Sequence, residues 1–324
     1  MNKRDSKLFF IHYALMNQCR NVYLRILHRN RRCRKRMVGH KVVSAKDGND
    51  ILREMILSGK PFAAVRLGAT ETATFIEGIA YRLGLKRNLR QSISDTAWRQ
   101  SGIFPNDTNL IPRYTSFVES TLPQIDFLAS FNWLMEDYVI DVYLNKDIIV
   151  AANQSIEPFY YRNDHPWSEA LEGKKVLVIH PFADTIEKQY AKRELLFPGT
   201  NVLPKFELRT LKAVQTIVGT KDERFDDWLE ALNWMYEEAM KIDFDVAILG
   251  CGGYGQPLAC MLKKAGKQAI QIGGATQILF GIKGKRWEVA KSEIAKMFND
   301  NWVRPSSDET PLHKERNEIG GAYW

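Results

Sequence analysis

The chain has 324 residues, 45 % apolar and 26 % charged, with a formal net charge of +8. That length buries a full core. Four cysteines without C-x-x-C spacing argue against a structural zinc site or a disulfide scaffold and suit a reducing cytoplasm. No apolar run reaches the roughly 18–20 residues that span a bilayer, and the Leu8–Met16 run is too short, and broken by His12, to be a secretion signal.

The charge is uneven. Residues 1–41 hold 12 Lys/Arg against the single acid Asp5, which is +11, so the remaining 283 residues sum to −3. Within this arm Leu8, Ile11, Leu15, Cys19, Val22 and Ile26 recur at helical spacing, while Arg25, Arg29, Arg32 and Arg36 form a second stripe that ends in the basic string 29–36. Such a helix lies on an anionic membrane surface, packs on the body or another subunit, or contacts nucleic acid. The last option gives the apolar face no role. The body also lacks the aromatic–basic interleaving of an RNA platform, so nucleic acid is not an expected partner. The membrane reading makes the protein peripheral on the inner face of the cell membrane.

The body is read as 42–299, followed by a tail, 300–324. A helix over 46–58 and the turn Gly59-Lys60-Pro61 lead into a strand at 62–67. That strand ends in Arg66-Leu67-Gly68-Ala69-Thr70-Glu71, just before a helix beginning near Thr72. In open α/β sheets the ligand crevice lies beyond the carboxyl ends of strands, so this position favours chemistry. Arg66 would pair with a phosphate, Gly68 permits close approach and Thr70 lies between them and Glu71. Glu71 either joins the site or only complements the helix dipole.

Residues 90–150 read as mostly helical and rich in core aromatics. A strand near 148–150 ends in Asn153-Gln154, and the buried strand 174–179 delivers His180 and Asp184 to another strand-end loop. His180 there is either structural or suited to proton transfer. Residues 210–217 read as a short helix or strand, and 226–242 as an amphipathic helix. The strand 246–249 then enters Gly250, Gly252, Gly253 and Gly255, a helix opens at Pro257, and a strand at 269–272 breaks into Gly273-Gly274. This is a βαβ unit whose glycine turn suits an anion. Beyond it lie Lys283, Lys285, Arg286 and Trp287, a basic cluster beside Gly273, and the aromatic end of the tail is expected to dock on the body.

Gly250-x-Gly252-x-x-Gly255 fits the dinucleotide pattern, but the second strand ends Gln271-Ile272-Gly273, where that pattern expects an acid for the ribose. NAD and FAD are therefore not expected. The strand ends together imply an α/β fold: a doubly wound, Rossmann-like, mostly parallel sheet with helices on both faces, plus the N-terminal basic amphipathic helix.

The segments VRLGATE (65–71), VLVIHPF (176–182) and AILGCGGYGQPLACMLKKAGKQAIQIGG (247–274) resemble the GT-D type glycosyltransferases, bacterial enzymes that build surface or protein-linked glycans from nucleotide-sugars. The resemblance runs over residues 50–290 and implies a nucleotide-sugar donor and a glycan or lipid-linked acceptor. The family motif is Arg-x-Gly-Asp-x-Glu, whose two acids hold a divalent ion (Mn or Mg) and the donor diphosphate. Here Arg66, Gly68 and Glu71 match, while Ala69 replaces the aspartate and Gly274 replaces a family histidine. Either Glu71 binds metal alone with water and phosphate, or Arg66, Lys283, Lys285 or Arg286 neutralises the diphosphate without metal. Glu71, His180 and Asp184 are the candidate bases. A non-catalytic nucleotide- or glycan-binding protein and a peripheral scaffold remain alternatives, and oligomerisation is open.

Overall fold

Seven short strands form one parallel sheet in the computed structural model, which describes residues 3–26, 36–133, 135–290, 292–317 and 321–324. An N-terminal helix, α1 (Lys7–Ile26), precedes a two-residue hairpin, β1 (Arg36–Met37) and β2 (His40–Lys41). The sheet follows as β3 (Phe62–Val65), β4 (Phe127–Ser130), β5 (Ile149–Ala152), β6 (Lys175–His180), β7 (Glu207–Lys212), β8 (Val246–Leu249) and β9 (Gln268–Gln271). Their order is β5-β4-β3-β9-β8-β6-β7, all pairs parallel. Residues 29–35 of the basic string 29–36 lie outside the described residues.

The helices between them are α2 (Ala45–Leu57), α3 (Ala69–Arg82), α4 (Gln91–Ser101), α5 (Leu110–Thr121), α6 (Glu136–Tyr143), α7 (Ala183–Tyr190), α8 (Trp228–Met240), α9 (Gly255–Lys264), α10 (Ala275–Leu279) and α11 (Lys285–Ala290). Local chemistry sets several starts: Ser44 accepts from the Asp47 N–H to open α2, and Asp227 accepts from the N–H groups of Leu229 and Glu230 to open α8. Helices α3–α6, α8 and α9 cover one face of the sheet, while α2, α7, α10 and the tail cover the other.

The central strands are buried throughout because both faces are covered, which explains their continuous apolar runs. In β3, Ala63 and Val65 face one core and Phe62 and Ala64 the other. The chain after β3 turns into α3 on the first face, whereas the chain after its neighbour β9 turns into α10 on the second. That divergence opens a crevice between adjacent strand ends.

The region 90–150 contains a strand, β4, that its aromatic content hid. The ambiguous stretch at 210–217 divides, with a strand over 207–212 and irregular chain after it. At the outer edge, Val43 bridges to β5 through Val43 N to Val150 O (2.8 Å) and Ala152 N to Val43 O (3.0 Å). Among the described residues no helix is long and apolar enough to cross a membrane.

Candidate functional site

The crevice holds a cleft of about 580 Å³. One wall is the β3 end and the start of α3, from Arg66 to Thr72, and the floor carries Gly252, Gly253, Gln271 and Gly273. Phe131 and Trp133, after β4, and Trp287 and Tyr323 supply aromatic surface.

Arg66 is the best-defined group. Its backbone N–H donates to Gln271 Oε1 (2.7 Å), Nη1 donates to the Ile272 carbonyl (3.2 Å), and Nη2 pairs with Glu157. The guanidinium also lies 5.4 Å over the Phe131 ring. Only 8 % of the arginine side chain and 12 % of the glutamate side chain are exposed, so losing one partner alone would strand a buried charge, at a cost of roughly 3–5 kcal/mol. Arg66 Nε has no partner among the described residues although it is buried beside the cleft. A buried donor left unmatched there suits an anionic oxygen arriving from the cleft.

Gly68 is the N-cap of α3 and carries no capping side chain. The reason is spatial, because a Cβ there would meet Glu71 Oε2 at 2.0 Å. The carboxylate of Glu71 therefore folds back over the start of its own helix. Tyr114, fully buried, is held protonated well above its ordinary range, by burial first and then by the charge of Glu71. Thr70 donates to Gln100 Oε1 (3.0 Å), which ties α3 to the end of α4.

The glycines of the βαβ turn serve different ends. At Gly255 a Cβ would meet Gln271 Cγ at 2.7 Å, so this glycine makes room for the side chain that accepts from Arg66. A Cβ on Gly253 would meet the Ser101 carbonyl at 2.9 Å, and Gly252 needs its positive φ of 57°. Gly250 lies against His180 and Thr276 and does not line the cleft; it borders an adjoining cavity of about 70 Å³ that shares Ser101, Gly252 and Tyr323 with it.

Four residues named as site candidates do not line the cleft. His180 is 3 % exposed, and its Nδ1 accepts from the Phe182 N–H (2.9 Å). Burial pushes its pKa down to about 3, so it is a neutral packing group that lines the small cavity and not the cleft. Asp184 is exposed and pairs with Lys212 (3.2 Å) on the β7 side. Lys283 places its ammonium 5.8 Å from the Phe298 ring, away from the cleft walls. The fourth is Gly250, described above. Arg286 does reach the cleft, held against Tyr323 by a ring contact (4.9 Å) and a hydrogen bond to its hydroxyl (3.3 Å).

Two cleft residues, Glu157 and Gln271, have no site role in the sequence reading. Glu157 follows the β5 end and was detectable only as an acid close to a strand terminus. Gln271 was noticed for not being acidic, although its amide organises Arg66. Tyr323 belongs to the tail: Arg286 N donates to Ala322 O (2.9 Å), Gln277 Nε2 to Tyr323 O (3.1 Å) and Trp324 Nε1 to Glu309 O (3.3 Å). A Cβ on Gly274 would meet the Tyr323 ring at 2.5 Å, so Gly274 admits the tail to the rim of the cleft.

A divalent ion would need carboxylates here. Ala69 lines the cleft where the resemblance calls for an acid, Glu157 is committed to Arg66, and among the described residues no three His, Cys, Asp or Glu side chains cluster as a ligand set. Among the described residues Glu71 is then the one acid besides Glu157 that lines the cleft, which does not fit an ion held by a pair of protein carboxylates.

No family model matches the chain, and no curated protein matches it. Among solved structures it is similar to one titled as the selenomethionine-substituted structure of domain of unknown function 1792. The likeness has a TM-score of 0.40 at 12 % identity and covers 88 % of this chain and 96 % of that one. So distant a likeness carries no functional argument.

Proposed function

We propose that the protein is a glycosyltransferase of GT-D type that takes a nucleotide-sugar donor and a glycan or lipid-linked acceptor for surface glycan assembly. The observation that carries this reading is the cleft of about 580 Å³ at the diverging ends of β3 and β9, which Arg66, Arg286 and the first turn of α3 all border. Arg286 supplies positive charge, and Arg66, whose own charge is offset by Glu157, offers its unmatched Nε–H as a donor to a diphosphate and to the charge that grows on it as the sugar departs. The aromatic walls suit the flat faces of a base or sugar. Glu71, opposite a protonated Tyr114, would accept a proton from the acceptor hydroxyl or a hydrogen bond from ribose. A second reading, binding without turnover, is favoured by Ala69.

The test is a thermal-shift screen with UDP, GDP, CDP and TDP, with and without Mn²⁺ and after chelation. At least one nucleotide is expected to raise the melting temperature, equally after chelation. If none does, the reading fails. Stabilisation without hydrolysis or transfer of any matching nucleotide-sugar would favour the binding protein.

A further inference from the structure

The orientation of α1 is inverted relative to a helix held by its apolar face. Toward the body it presents mainly aromatic and polar groups. Asn17 Nδ2 donates to Asp137 Oδ1 (2.9 Å), and Met135 N donates to Asn17 Oδ1 (3.2 Å). The Tyr13 hydroxyl donates to Asp141 Oδ2 (3.1 Å), and Phe10 meets Tyr138 edge-on at 5.2 Å. The apolar stripe faces outward: Leu8 is 75 % exposed, Leu15 56 %, Val22 55 %, Tyr23 57 % and Ile26 70 %. A row of large apolar side chains turned away from the core over five helical turns marks a contact surface.

We propose that this face of α1 docks the protein on an anionic lipid bilayer. At roughly 100° per residue, Lys7 and Arg25 fall on one border of the stripe and Arg20 on the other, which is the layout of an interfacial helix. The charge decides between occupants. Residues 1–41 carry +11 against −3 for all the rest, so a second copy seated on this face would bring two strongly basic arms together, whereas an anionic surface neutralises them. Nucleic acid would match the charge but leave the stripe in water. On its opposite, body-facing side the same helix, through Phe10, Ala14 and Asn17, walls a groove of about 460 Å³ that shares Ala69 and Trp133 with the cleft. The inference does not rest on the glycosyl-transfer reading.

The experiment is co-sedimentation of the full chain with phosphatidylcholine vesicles, with and without phosphatidylglycerol. Binding is expected to be at least about tenfold tighter to the anionic vesicles and to weaken as salt is raised. Leu15→Glu with Val22→Glu is expected to lower it about tenfold or more, and Lys7→Gln with Arg25→Gln several-fold, at unchanged melting temperature, because all four side chains are exposed. The proposal is overturned if wild type ignores the anionic lipid, or if the Leu15/Val22 variant binds as well as wild type. It is equally overturned if wild type is a dimer in solution that the same variant dissociates.

Discussion

At the residue scale, two buried titratable groups pull stability in opposite directions with pH. Glu136 is fully buried; burial raises its pKa to about 7 from 4.5, against hydrogen bonds accepted from Ser130 Oγ (2.9 Å) and Trp133 N (3.0 Å). Its stabilising contribution is complete below pH 4.5 and is lost as pH rises to about 7, since only the folded state keeps the proton there. His180 is lowered from 6.5 to about 3, so its contribution is complete above pH 6.5 and is lost as pH falls. Between about pH 4.5 and 6.5 the two slopes oppose, each about 1.4 kcal/mol per pH unit, and wild-type stability should be nearly level from this pair. Glu136→Gln removes one slope, and its urea-unfolding free energy should climb by about 2–3 kcal/mol across that window. Parallel profiles for the variant and wild type would refute the assignment. Neither environment was legible in the sequence. His180 follows a strand, as many catalytic residues do, and nothing local says that Gly250 and Thr276 will close over it.

At the element scale, the strand ends and glycine turns are where sequence reading worked best, because apolar runs and turn residues act locally. The strands at 62–65, 175–180, 246–249 and 268–271 lie within two residues of their expected positions. Strand β4 escaped because its short apolar run lies inside an aromatic-rich stretch that reads as helical, without the glycine turn that marks the ends of β8 and β9. The glycines show the same divide. Gly68 and Gly250, each read from its own motif as a donor-binding glycine, have different neighbours. A methyl at Gly68 meets the movable end of Glu71, whereas at Gly250 it meets the ring of His180 at 2.4 Å and Thr276 Oγ1 at 2.6 Å. Gly68→Ala should therefore cost less than about 1 kcal/mol while displacing Glu71 and lowering turnover at least tenfold. Gly250→Ala should cost about 1–3 kcal/mol and leave nucleotide affinity of the folded fraction unchanged. Equal stability losses for the two, read from denaturant midpoints, would show that the distinction is mistaken.

At the scale of the whole molecule, distant ends of the chain meet around the cleft. Trp324 is 7 % exposed and packs against Phe182, and Tyr323 supports Arg286. Deleting 321–324 should lower stability by about 3–5 kcal/mol, the range for removing a buried Trp. Tyr323→Ala, which keeps Trp324, should mainly reduce the thermal shift given by nucleotide diphosphates. An undiminished shift in that variant would mean that Arg286 needs no such support. These long-range meetings were the least legible feature, since aromatic residues at a chain end do not name the surface that receives them. The sheet margins carry a consequence for self-association. On one side β7 offers Glu207, Arg209 and Lys212, charges that discourage a strand from another molecule. On the other, β5 is already partnered by the backbone of Val43. Main-chain recruitment into fibres or swapped sheets is thus discouraged at both margins, although every pair in the sheet is parallel.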